Sequence, residues 1–470
     1  VKNACKHDAE AESTTFCPEF GCLWPAPRRL ECSTTMNDRR LHRWVVVGGN
    51  IAPTCIAHHP GARMSVMNEP TTTELPSATW PVCDDEQIEA AQRVLRSGRL
   101  NYWTGDEGRQ FEREFSQYIG VEHAVAVSSG TAALELAMAA LNIGPGDEVI
   151  VPCRTFFATA SCVVRCGATP IFADVDRDSQ NITADTIRPR LTKRTKAVIV
   201  VHLAGWPCDM DAIVDLAAGR GLAVVEDCAQ AHGARYKGRP VGSMGHVGAF
   251  SFCHDKIMTT AGEGGMVVTN NPELWKRAWS LKDHGKNFSA AYPSPSASAS
   301  QAPSGSFRWL HDEIGANWRM TEVQAAIGRV ALRKLDAHVA ARRRNAALLQ
   351  QRFQLLPLLR TTPPPQDVVH SYYKYYTFVR PEKLAENWTR DRILKEINQA
   401  GISCQTGSCP EIYLEKAFPL PMRPPERLPV ARELGETSLM FQVHPTLTPD
   451  HMNRIADVVA AVVTQADMPR

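Results

Sequence analysis

Lys256 stands between an aromatic and serine stretch, Phe250-Ser251-Phe252, and a glycine-rich turn, Gly262-Glu263-Gly264-Gly265. Upstream, the apolar run Leu222-Ala223-Val224-Val225 ends on Glu226-Asp227. An acid at the carboxyl end of a buried strand is aimed into the crevice that opens there. One amine on short, tight backbone and one such carboxylate are what pyridoxal phosphate chemistry requires. The amine bonds to the cofactor, and the carboxylate keeps the ring nitrogen protonated so that the ring accepts electrons. The competing readings are ordinary: a solvated lysine, and a helix cap or surface charge for Asp227.

A third element stands ready for a phosphate. Ala124-Val125-Ala126-Val127 reads as a short buried strand, followed by Ser128-Ser129-Gly130-Thr131 and an Ala- and Leu-rich helix through Leu141. Strand, small-residue turn and helix present free N–H groups to an anion. An ordinary helix cap uses the same residues, and the two readings are compatible.

These residues need a scaffold, and the chain repeats one. Strands are expected at Glu148–Pro152, Thr169–Val175, Lys196–Val201, Leu222–Val225 and Met266–Thr269. Helices fall between them, at Thr159–Cys166 and Met210–Ala218, after earlier ones opening at Asp84 and carrying Phe111, Phe115 and Tyr118. Apolar strands alternating with helices imply a mostly parallel sheet covered on both faces. From about Met320 a long helix carries Ala325, Ile327, Val330, Leu332 and Leu335. Beyond it, a strand at Tyr372–Val379 and helices at Arg390–Ala400 and His451–Val463 suggest a smaller α+β domain. The expected domains are 76–335, holding the sites, and 336–470.

Residues 1–75 carry five cysteines and no sustained periodicity. They are expected to be a poorly ordered extension, or to precede a true start at Met64 or Met67. Ser294 to Ser306 is a Ser-, Pro- and Ala-rich stretch without core-forming residues, expected as a mobile surface loop. The 470 residues are 44% apolar and 22% charged with a net charge of +2, so nothing global points to nucleic acid. No apolar run approaches a membrane span, and the expectation is a soluble, cytoplasmic protein. Of fourteen cysteines, Cys153, Cys162, Cys166, Cys208, Cys228 and Cys253 sit in or beside apolar elements, as small hydrophobes of a reducing compartment. Cys17, Cys22 and Cys32 lack a second close pair, so no metal site is expected. His202 and His232 are read as structural.

Several stretches, in this order, carry a family resemblance. They are Ser129-Gly130-Thr131-Ala132-Ala133-Leu134, Gly144-Pro145-Gly146-Asp147-Glu148-Val149, Gly167-Ala168-Thr169-Pro170, Glu226-Asp227-Cys228-Ala229-Gln230-Ala231-His232-Gly233, the Lys256 stretch, and Gly315-Ala316-Asn317-Trp318-Arg319-Met320-Thr321-Glu322. Over about residues 80–460 the chain resembles the nucleotide-sugar aminotransferases of the DegT/StrS type. The resemblance implies fold type I of the pyridoxal phosphate enzymes, aspartate-aminotransferase-like, with a seven-stranded sheet. It implies that Lys256 binds the cofactor and carries the proton, that Asp227 pairs with the ring nitrogen, and that Gln230 bonds the phenolic oxygen. It places Gly130, Thr131 and Ser251 at the phosphate, Phe156 against the ring, and Asn317 at the phosphate of a neighbouring subunit in a homodimer with shared sites. The implied reaction moves an amino group from L-glutamate to a nucleotide-linked keto-deoxy sugar, for lipopolysaccharide or another glycan. Relatives that dehydrate sugars carry histidine where this chain has Lys256. Two alternatives stay open: a sugar dehydratase or eliminase using the same cofactor, and a non-catalytic regulatory relative.

Overall fold

The computed structural model describes residues 78–292 and 307–468, all within one compact unit, Thr73–Arg470. The residue 1–75 segment and the Ser294–Ser306 stretch lie outside the described residues.

The alternation of strands and helices builds a seven-stranded sheet. Its spatial order is His123–Val127, Gly265–Thr269, Val247–Ser251, Ala223–Asp227, Thr195–Val201, Glu148–Pro152 and Thr169–Ala173. The strands pair in parallel except that Gly265–Thr269 runs antiparallel to both its neighbours. The interior strands Glu148–Pro152 and Val247–Ser251 are buried at every position, as expected where helices cover both faces. One apolar cluster, with Val151, Ile199, Val225 and Val267, packs beneath the Gly130–Ala140 and Phe157–Arg165 helices. Another fills the opposite side around Phe111, Phe115, Phe250 and Phe252.

A second sheet is antiparallel, in the order Leu359–Arg360, Tyr375–Val379, Ser438–Phe441 and Cys404–Gln405. It shares a core with the Arg390–Gln399 and Pro449–Ala466 helices. The long helix runs Glu322–Phe353 and starts at a capping box in which Thr321 and Gln324 satisfy each other's backbone amides. Its first half gives Ala325, Leu332 and Leu335 to the large-sheet core, and its end gives Ala346, Leu349 and Phe353 to the small one. Position 335, where the sequence pattern suggests a domain boundary, therefore lies inside a continuous helix serving both cores.

The strand expected from Tyr372 begins only at Tyr375. The cause is a tether: Ser371 N–H donates to the Gly205 carbonyl (3.0 Å) and Tyr373 N–H to that of Ala204 (2.8 Å), with Tyr372 left-handed between them. This part of the chain is thus fastened to a loop at the carboxyl edge of the large sheet. Among the described residues, no helix is long and apolar enough to cross a membrane.

Candidate active site

The carboxyl ends of the large-sheet strands open on a cavity of about 1040 Å³. Gly130, Thr131, Phe156, Asp227, Gln230, Ser251 and Lys256 all line it. Asn317 does not; it is exposed, on a segment bridged to Asp283.

Gly130 opens the Gly130–Ala140 helix behind Ser129, whose hydroxyl oxygen accepts from Ala132 N–H at 3.1 Å. The helix start lies directly on the Val247–Ser251 strand: a Cβ at Gly130 would fall 2.4 Å from Ser251 Cβ and 2.7 Å from its Oγ. Only glycine allows this approach, which brings the unpaired amides of a first helical turn and the Ser251 hydroxyl to one small hollow. Such a hollow fits a phosphate.

Asp227 ends its strand almost fully buried. Its Oδ2 accepts from the Thr159 hydroxyl (2.9 Å) and its Oδ1 from Ala229 N–H (3.2 Å). Burial pushes its carboxyl above the ordinary value; the Thr159 and Ala229 bonds and the nearby Lys256 act against this. A buried carboxylate so placed gains by meeting a cation, such as a protonated ring nitrogen.

Strand alternation sends Glu226 the other way. Fully buried, it accepts from His202 Nε2 (3.0 Å), Gly242 N–H (2.7 Å), Met244 N–H (2.7 Å) and Gly245 N–H (2.6 Å). Burial acts to raise its carboxyl, but the His202 bond and the amides hold it below the ordinary range. His202 Nδ1 accepts from Cys208 N–H at 3.0 Å, so Nε2 carries the proton. His202, Glu226 and Cys228 bring ligand-type atoms within 4.8 Å of one another, but these bonds occupy His202 and Glu226. His232 is buried beside Phe250 and Phe252, and burial lowers it to about 3, so it is a neutral core residue.

Gln230 Oε1 accepts from Ala204 N–H at 2.9 Å, leaving its NH2 as the end that can donate into the cavity. Phe156 is 65% exposed, an aromatic face bare within a concave site. A flat apolar ring would cover it.

Lys256 follows the Val247–Ser251 strand in a turn, half-buried. Its carbonyl accepts from Trp80 Nε1 (2.9 Å), and its Nζ lies 4.9 Å from the centre of the Tyr373 ring. The Tyr373 hydroxyl donates to Asp255. Burial would raise Asp255, yet the Tyr373 bond, Lys256 and Lys374 hold it below the ordinary carboxylate range. Trp80, Asp255, Tyr373 and Lys374 are cavity residues that sequence reasoning missed. Tyr373 and Lys374 carried no local signal, since they sit in a run that reads as strand core.

A sheet of this order and a cavity at its strand ends define a fold-type I pyridoxal phosphate enzyme. Residues 81–460 match the profile of the DegT/DnrJ/EryC1/StrS aminotransferase family, and the chain belongs to that family. It is 37% identical over 362 residues to GDP-perosamine synthase of Caulobacter vibrioides, covering 75% of this chain and 90% of that protein. The crystal structure of an aminotransferase from Psychrobacter cryohalolentis superimposes with a TM-score of 0.80 at 49% identity, over 83% of this chain and 100% of that one. DesV of Streptomyces venezuelae, solved in complex with a ketimine intermediate, gives 0.72 at 35% identity, over 81% and 95%. The cofactor is pyridoxal phosphate, and the chain is a sugar aminotransferase.

Proposed function

We propose that this enzyme moves an amino group from L-glutamate to a nucleotide-linked keto-deoxy sugar, in the cytoplasm, for lipopolysaccharide or another glycan. The observation that carries the reading is the convergence of Lys256, Asp227, the Gly130–Ser251 hollow and the bare Phe156 face in one cavity. When bound, pyridoxal phosphate supplies a carbonyl carbon for amines and a ring that accepts an electron pair. Lys256 Nζ would hold the cofactor and, once free, would take up and return the proton at the substrate carbon. Asp227 would keep the ring nitrogen protonated, and the Gln230 NH2 would donate to the ring's phenolic oxygen. Gly130, Thr131 and Ser251 would bind the phosphate, and Phe156 would exclude water from one ring face. The amino acid leaves as a 2-oxo acid, and the sugar carbonyl becomes an amine.

A homodimer completes the site. Phe307, Trp309 and Ile314 are 77%, 90% and 98% exposed in the segment that carries Asn317. Such a strip supports cover by a second copy, with Asn317 reaching the partner's phosphate site. The nine cysteines among the described residues are all unpaired, which suits a reducing compartment.

The test supplies 15N-labelled L-glutamate with a panel of nucleotide-linked keto sugars and identifies products by mass spectrometry. Label on the sugar is expected. A sugar product that has lost water and carries no nitrogen would overturn the proposal in favour of elimination.

A further inference from the structure

The cavity has a second wall, contributed by the C-terminal part of the chain: Tyr373, Lys374, Gln442, His444 and Arg454. Lys374 is a charged side chain on that wall. It is 9% exposed yet lines the cavity. Its Nζ donates to Gln442 Oε1 at 2.8 Å, whereas the nearest carboxylate oxygen, Asp255 Oδ2, is 3.8 Å away and outside hydrogen-bond range. Asp255 already accepts from Tyr373. The Lys374 and Lys256 ammonium groups lie 4.6 and 4.9 Å from the centre of the same Tyr373 ring.

A third cation stands behind them. Arg342 is 1% exposed; its Nη1 donates to the Tyr373 carbonyl (3.2 Å), and its Nε and Nη2 have no hydrogen-bond partner. With Lys256 given to the cofactor, two further cations, Lys374 and Arg342, still act on the one carboxylate Asp255. The remaining lining acids, Asp227 and Glu263, come from the large-sheet loops, where they bond Thr159 and Cys253. His444 adds no negative charge and is held neutral, lowered to about 4 by burial and by Arg342 and Lys374. Buried cations in excess are costly unless an anion meets them. Burial, Arg342 and Lys256 lower Lys374 to about 8, against the pull of Asp255, its ion-pair partner at 3.8 Å.

We propose that Lys374, supported by Gln442, recognises the oxyanion of a substrate on this wall: the carboxylate of the amino donor or the phosphate of the nucleotide-linked sugar. The assignment rests on the aminotransferase reading above and adds to it the group that places the substrate. The cofactor phosphate does not compete, because its hollow at Gly130, Thr131 and Ser251 is built from a helix start and a strand end of the large sheet. Lys374 leaves the reacting atoms to Lys256 and acts in binding.

The test uses holoenzyme and two unreactive probes, glutarate and inorganic diphosphate, in isothermal titration calorimetry. Wild type is compared with Lys374→Met and Lys374→Arg. Loss of a charge-assisted bond should weaken one probe by about tenfold in Lys374→Met, while Lys374→Arg stays within about threefold. Weakened glutarate identifies the donor carboxylate as the ligand; weakened diphosphate identifies the sugar nucleotide. The Michaelis constant of the matching substrate should rise with little change in kcat. Both probes binding Lys374→Met within about twofold of wild type, or neither binding wild type, would overturn the proposal. Absorbance of the lysine-bound cofactor is recorded on every sample. Its absence from wild type would count against the aminotransferase reading itself, whereas its presence with unchanged probe binding removes only the role of Lys374.

Discussion

Replacing Gly130 by alanine tests whether the cofactor hollow depends on backbone contact between a helix start and a strand end. The new methyl would stand 2.4 Å from Ser251 Cβ, 2.7 Å from its Oγ and 3.0 Å from its Cα. Carbon atoms pack at about 3.5–4.0 Å, so the two elements must part by roughly 1 Å. The strand cannot yield cheaply, because Ser251 pairs with Gly265, and a Cβ at Gly265 would itself meet the Ser129 carbonyl at 2.3 Å. Gly130 is not left-handed, and alanine suits a helix, so the effect is steric alone. Overpacking of this kind costs about 1–3 kcal/mol. Thermal and urea unfolding of the apoenzyme should show that loss. Pyridoxal phosphate affinity, read by fluorescence titration, should fall by about tenfold as the phosphate amides shift. Ser251→Gly removes two of the three clashing atoms, so in that background Gly130→Ala should cost much less. If Gly130→Ala costs as much in the Ser251→Gly background as in wild type, the contact does not couple the two positions and the reasoning fails.

Asp227→Asn cannot hold a proton on the ring nitrogen; kcat should fall by roughly a hundredfold or more with cofactor still bound, measured by steady-state kinetics and absorbance. Glu226 is held below its ordinary value of 4.5 in the folded protein, so it contributes stability above that pH that is lost as pH falls through the folded value. Glu226→Gln should flatten the acid limb of a melting-temperature profile. It should also cost about 1–3 kcal/mol at neutral pH, since one oxygen among donors becomes an NH2; an unchanged acid limb would count against the assignment. Trp309→Asp should shift the protein from dimer to monomer in light scattering, and a persistent dimer would place the interface elsewhere.

Lys256, Asp227 and the Gly130–Thr131 turn were legible in the sequence because each is written locally. An apolar run ending in an acid reads as a buried strand meeting a crevice, and a small-residue turn between strand and helix exposes amides. The opposite fates of Glu226 and Asp227 follow from strand alternation, yet which one faces the cavity needed the sheet. The single helix Glu322–Phe353 runs through position 335, because one amphipathic element can serve two cores.

What the sequence by itself determined is the strand and helix order of the large sheet and which residues fall at its strand ends, since periodicity and turn chemistry act over a few residues. Tertiary structure alone decided the second wall. Tyr373 and Lys374 reach Lys256 because Ser371 and Tyr373 are tied to the carbonyls of Gly205 and Ala204, and Gln442 meets Lys374 across the small sheet. No local pattern marks a lysine for burial beside another lysine; that placement arises only when distant segments close on one another.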